Sequence, residues 1–327
     1  LESTDLLQWR ALPPLVEIGH RFLNAEVPDY FELGGWHYVV LNNCGLATRL
    51  NDCYRERANG SFYLMSQQRL GPYRLPEAHV LLGAGMDRID SCCARTIPWN
   101  GGRLAYSFIP GGLSNDVSLR PSWAAPKVVR QHKDGTLWLG YWSGLERLET
   151  KTVVQSFEAV VSDPSLTGLG CWEIQPQRLT GRAAIPLSTV LLPYTLQDFH
   201  MTCRITALDC SRLAILVRLD QEQRRTLSVT LDYELGRLEL GPAEKSWMPG
   251  LIRGVYDYVR GVLPPRGQEC LLRIFVRDEY IEVYLNDRWF FPSWIPSHSR
   301  SGRVGFAVER GTATFSELRV AELEPLR

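Results

Sequence analysis

Apolar and polar side chains alternate at a period of two through most of the chain, and Gly, Pro, Asn or Asp interrupts the alternation every ten residues or so. That pattern predicts short β-strands joined by tight turns. Tyr30, Phe31, Leu33, Trp36, Tyr38 and Val40 flank Gly34-Gly35 and predict a hairpin. Ser61–Ser66 and Val80–Leu82 read as compact strands, separated by a chain reversal at Leu70-Gly71-Pro72-Tyr73. Ile89–Trp99 and Arg103–Ile109 flank the turn Asn100-Gly101-Gly102. Ala125–Leu139 reads as strand, Asp134-Gly135 turn and strand, and Leu145–Glu149 suits a short helix. Two hairpins per unit is the rhythm of a β-propeller.

From about residue 153 the alternation continues with the spacing of a β-sandwich. Met201–Ala207, Leu213–Leu219 and Leu227–Tyr233 are its clearest early strands, and Gly302–Val308 and Ala313–Val320 its last. Cys270–Asp287 reads as two strands pivoting on Asp278-Glu279, with Asp278, Glu279 and Glu282 on the solvated face. Residues 241–267 read as a long inserted loop with a helical turn near Ile252–Val262. The expected fold is therefore all-β: part of a five-bladed type of propeller in residues 1–150, then a sandwich in residues 151–327. A blade takes roughly 40 to 60 residues, so the first part makes about three blades and leaves an open sheet edge.

Lys plus Arg equals Asp plus Glu at 36 each, which gives no net field to attract nucleic acid or an anionic membrane. The expected ligand is neutral. No apolar run approaches the roughly 20 residues of a membrane helix. The eight cysteines form no Cys-x-x-Cys pair, and Cys92-Cys93 would face opposite sides of a strand. Reduced thiols, a cytoplasmic setting, no metal and no cofactor are expected. Trp36, Trp99 and Tyr106 are expected in the core, and His37 alternates with apolar residues without metal-type partners.

The chemistry concentrates at Glu26-Val27-Pro28-Asp29, where Pro28 is expected to hold Val27 extended and so to fix how Glu26 leaves the chain. This segment resembles the Glu-Cys-Pro-Asp motif of glycoside hydrolase family 32, the invertases, levanases and inulinases, with Val27 in place of cysteine. Ser3-Thr4-Asp5-Leu6-Leu7-Gln8-Trp9 looks like that family's Ser-x-Asp-Leu-x-x-Trp blade ending. The strand, turn, strand and short helix of residues 125–149 resembles its handover between domains, and Tyr280, Tyr284 and Asn286-Asp287 resemble a segment of its sandwich. The resemblance implies Glu26 as general acid/base of a retaining hydrolysis of fructosides. It also places Asp90 near a segment that lines the cleft, while Asp29 is expected to brace the strand start.

Retention needs a second carboxylate roughly 5 to 5.5 Å away. The family's nucleophile motif, Trp-x-Asn-Asp-Pro-Asn, and its Arg-Asp-Pro triplet occur nowhere in the sequence. Three readings follow. The chain is the later portion of a longer fructosidase acting on sucrose or fructo-oligosaccharides; or it is a shortened relative that binds carbohydrate without cutting it, with a partner segment or a second copy over the open edge; or it resembles the propeller glycosidases of arabinans and xylans.

Overall fold

The structure is a computed structural model that describes residues 1–15, 25–43, 60–83, 92–109, 122–162, 170–183, 187–220, 225–245, 251–253, 257–294 and 300–324. It is all-β, and its one named helix among the described residues is a short 3₁₀ turn, Ser143–Leu148, where the sequence predicts one. The first blade is a four-stranded sheet in the order β1 (Ala25–Leu33), β2 (Trp36–Asn43), β3 (Gly60–Ser66), β4 (Val80–Gly83). The second consists of β5 (Cys92–Trp99), β6 (Gly102–Ile109), β7 (Ser122–Trp123), β8 (Lys127–Gln131) and β9 (Leu137–Gly140). The arithmetic anticipates about three such blades, whereas the described residues of this half form these two. Ser3–Trp9 forms an exposed turn instead, in which Asp5 accepts from the amides of Leu7 and Gln8 at 2.9 and 2.8 Å.

The second blade does not stop at its own edge. Gly140 pairs with Arg288, which splices the blade into one layer of the sandwich. That layer uses β10 (Glu149–Val154), β12 (Cys171–Gln175), β13 (Arg178–Ala183), β15 (Phe199–Ala207), β21 (Cys270–Arg277), β22 (Tyr280–Leu285), β23 (Arg288–Trp294) and β25 (Gly311–Leu323). The other layer uses β11 (Val161–Ser162), β14 (Ser188–Leu196), β16 (Arg212–Asp220), β17 (Arg225–Asp232), β18 (Arg237–Lys245), β19 (Leu251–Arg253), β20 (Asp257–Arg260) and β24 (Gly302–Glu309).

The period-two pattern is realised directly in β15, where Phe199, Met201, Cys203, Ile205 and Ala207 point inward and Thr202, Arg204 and Thr206 are more exposed. They meet Ile215, Leu231, Phe306 and Phe315 in one sandwich core. A second core runs from Phe31, Tyr38 and Tyr63 in the first blade through Leu137 and Leu139 to Phe275, Tyr284 and Trp289 in the sandwich.

Two expectations change. In the described part of residues 241–267, β19 and β20 pair with β18 where a helical turn is expected. Leu238 and Leu240 alternate inward and Val259 is buried opposite Leu238, which is strand periodicity. Glu282 and Glu279 are buried at 0% and 5% exposure, not solvated; Asp278 alone is exposed. For Glu282 the reason is that the outer face of β22 is covered by the second blade, whereas Glu279, in the turn before it, lies near the buried Arg218. Glu282 accepts from Lys127, Tyr280 and Tyr284, and Lys127 Nζ also donates to the Ala125 carbonyl at 2.7 Å. Burial and the adjacent Glu282 charge raise both phenols far above their ordinary range, so they remain donors.

Candidate functional site

β1 and β5 each lie at one end of their sheet's strand order, and they pack against one another. Each begins with an irregularity. On β1, Glu26 pairs with Asn42 and Asp29 with Val40, so Val27 and Pro28 bulge out of the ladder. On β5, Cys92 pairs with Phe108 and Arg95 with Tyr106, so Cys93 and Ala94 bulge likewise. A bulge leaves backbone groups without their ladder partners, and buried ones must bond elsewhere.

The two bulges are bonded into the same seam. Cys93 N donates to Asn42 Oδ1 at 2.9 Å, and Ala94 N to Ser61 Oγ at 2.9 Å. Ser61 Oγ in turn donates to Asn42 Oδ1 at 3.2 Å. Arg95 donates to the Pro28 carbonyl, and Thr96 donates to Asp29 Oδ2 from its amide at 2.9 Å and its hydroxyl at 2.7 Å. Arg103 Nε donates to Thr96 Oγ1 at 2.9 Å while its guanidinium lies 4.7 Å from the centre of the Phe31 ring. Four successive residues of β5 thus grip the first blade around the start of β1.

Val27 is not extended as the Pro28 argument expects; its φ is +54°. The bulge overrides the local preference, because Asp29 and the Pro28 carbonyl are both held by β5. A β-branched residue at positive φ is a strained conformation costing on the order of 1–3 kcal/mol. Cys93 is at φ +57° on the facing strand. Strain of this kind, bonded from both sides, places the half-buried Glu26 at the end of an edge strand beside Asn42.

Asp29 braces the strand start, as the sequence suggests. Asp90 lies outside the described residues. Trp99 departs from expectation: it is 42% exposed and packs edge-on against Trp142 at 5.9 Å, while Trp36 and Tyr106 are half-buried. His37 Nδ1 lies 2.8 Å from the Tyr30 hydroxyl, and among the described residues no group of His, Cys, Asp and Glu is arranged to hold a metal. Sequence reasoning misses Asn42, Ser61, Arg95 and Thr96. Their roles depend on two facing bulges, which a linear pattern does not reveal.

No protein-family model matches the sequence, and no curated protein does. Solved structures do match. The chain is similar to the Bombyx mori GH32 beta-fructofuranosidase BmSUC1, at 16% identity and a TM-score of 0.62, over 99% of this chain and 59% of that one. It is also similar to sucrose-6-phosphate hydrolase from Lactobacillus gasseri, at 12% identity and a TM-score of 0.59, over 92% of this chain and 55% of that one. Exo-inulinase from Aspergillus awamori matches at 13% identity and a TM-score of 0.58, over 92% of this chain and 57% of that one. The chain therefore has a GH32-like fold and spans between half and two thirds of the length of these enzymes.

Proposed function

We propose that this chain belongs to a retaining glycosidase of the fructoside type, with Glu26 as general acid/base and sucrose or fructo-oligosaccharides as substrates. In this reading Glu26 gives its proton to the leaving oxygen while a nucleophilic aspartate bonds to the anomeric carbon; Glu26 then takes a proton from the water that releases the sugar. The aspartate comes from outside these 327 residues, on a further segment that covers the open edge. One observation carries the assignment: strained backbone at Val27, two contacts from β5 to Pro28 and Asp29, and two more to Asn42 and Ser61 on the neighbouring strands hold the start of the strand that bears Glu26. The fold likeness supports it, and a variant of the Bombyx mori enzyme was solved in complex with sucrose.

A second reading, carbohydrate binding without cleavage, is favoured by the absence of both family motifs from the sequence. Fructose release by the protein with Glu26→Gln separates the two. A general acid/base contributes about 10²–10⁴-fold, so turnover should fall by that much with sugar binding retained. Unchanged turnover removes Glu26 from the mechanism. Calorimetric binding of short fructans with no fructose release by the wild type favours the binding module. No heat with sucrose or fructans defeats both readings.

A further inference from the structure

Trp123 is 68% exposed, more than Trp9 at 54% or Trp99 at 42%. It is nonetheless held in place. On β7 it pairs with Phe108 of β6, and its ring meets Phe108 at 6.3 Å and Tyr106 at 5.5 Å, with interplanar angles of 75° and 66°. The amide of Ala124 donates to the Ser107 carbonyl at 2.9 Å and extends the ladder past the ring. Two aromatic edges therefore brace a large apolar ring that stays open to water, an arrangement that costs solvation unless something covers it.

Its position ties it to Glu26. Trp123 pairs with Phe108, Phe108 with Cys92, the next residue Cys93 bonds to Asn42, and Asn42 pairs with Glu26. All lie at the same end of the two blades. Trp123 stands two strand spacings from β5, about 10 Å. The step from β5 across to β1 adds on the order of another 5–10 Å, which puts Trp123 beyond a disaccharide engaged at Glu26 and within reach of a longer oligosaccharide. The partner chemistry follows from the surface: a braced aromatic face on a chain with balanced charge suits the apolar C–H face of a neutral sugar ring.

We propose that Trp123 is a stacking platform for a sugar ring remote from the bond Glu26 addresses, and that it makes the site prefer oligosaccharides over disaccharides. The proposal rests on the glycosidase reading for its substrate class. It is tested by calorimetric titration of the wild type, Trp123→Ala and Trp123→Phe with sucrose and with a fructan of about five units. Truncating an exposed stacking ring should weaken the longer sugar about five- to tenfold, leave sucrose unchanged, and be largely restored by Phe. An equal effect on both sugars, or none, overturns it. Fructan binding that ignores Trp123 ends the platform and leaves the fructoside reading standing. Wild-type binding confined to arabino- or xylo-oligosaccharides, and dependent on Trp123, keeps the platform and ends the fructoside reading. If no sugar binds, both fall. Melting curves and circular dichroism identify a variant that has not folded.

Discussion

The second blade has two seams, and they are built in opposite ways. Toward the sandwich it shares a sheet through Gly140 and Arg288, and it buries Lys127 against Glu282 at 1% and 0% exposure beneath Trp289. Toward the first blade it shares no ladder among the described residues; an apolar core joins the two, and at the Glu26 end the polar contact is made of single donors from β5 reaching Asn42, Ser61, Pro28 and Asp29. The first seam is a continuous sheet with its buried charges matched across it. The second seam holds strained backbone at Val27 and Cys93. The contrast separates a scaffold from a positioning device: the continuous sheet supplies a rigid back, and the discrete bonds set where the Glu26 end of β1 sits.

The sharpest way to break that contrast is at the buried pair. Glu282→Ala leaves Lys127 uncompensated and strands three donors at once, which should cost about 3–5 kcal/mol in a denaturant titration. Replacing Lys127 and Glu282 together by Met and Leu should recover only part of the loss, because it removes the unpaired ion but leaves the Tyr280 and Tyr284 hydroxyls without their acceptor. A loss below about 1 kcal/mol for the single variant would mean the seam is wetter than its burial indicates.

Asp29→Ala attacks the other seam. It removes the acceptor of two Thr96 bonds and should cost about 1–3 kcal/mol. Its distinguishing readout is catalytic: if the bonds from β5 position Glu26, fructose release falls further than the melting temperature accounts for. A variant that loses stability and keeps full turnover would reduce Asp29 to a brace alone.

Gly135→Ala tests the far end of the same interface, at the Asp-Gly turn between β8 and β9. There φ is +87°, and an added Cβ would stand 2.6 Å from Met65 Cε and Trp36 Cε2. The expected cost is about 1–2 kcal/mol in equilibrium unfolding, with turnover at permissive temperature unchanged, since this end of the blades is remote from Glu26.

These sites also show how far the sequence could be read. Strands such as β15 and β21 follow from alternation, because a sandwich layer exposes one face and buries the other. The same rule misplaces Glu282: it assigns the second face to water, and only the tertiary contact with the blade turns it into a second interior. Gly135 is legible as a turn residue, yet its contact with Trp36 is not, since the two lie on different blades. Glu26 stands out only because its neighbours resemble a known motif. The local geometry argued from Pro28 fails at Val27, where bonds from β5 override the preference of the dipeptide. Local chemistry specifies elements, whereas the site is specified by what two strands distant in sequence do to one another.

The smallest expected effect lies where the sandwich meets the connecting segment, and it is read as a slope. His200 is buried, stacks on Tyr141 at 5.5 Å, and places Nδ1 2.7 Å from Glu149 Oε1. A carboxylate only accepts, so Nδ1 carries the proton and donates, and Nε2 is left bare, buried and without a hydrogen-bond partner. Charging the ring would put a second N–H in that dry position, beside the cations Arg273 and Arg319. Burial accordingly pushes the imidazole below its ordinary 6.5, against the opposing pull of Glu149. A folded-state value below the unfolded one means the unfolded chain binds the extra proton first. Stability from this group is therefore complete above about pH 6.5 and declines as the pH falls through the lower folded value. Glu149 adds to the decline further into acid: burial raises its carboxyl, but bonds from Arg319 and His200 outweigh that and hold it below 4.5. Melting temperatures taken between pH 7 and 5 should fall with acid in the wild type and flatten in His200→Gln. An unchanged slope would mean that His200 is hydrated in solution, and that this junction is less tightly closed than the one around Lys127.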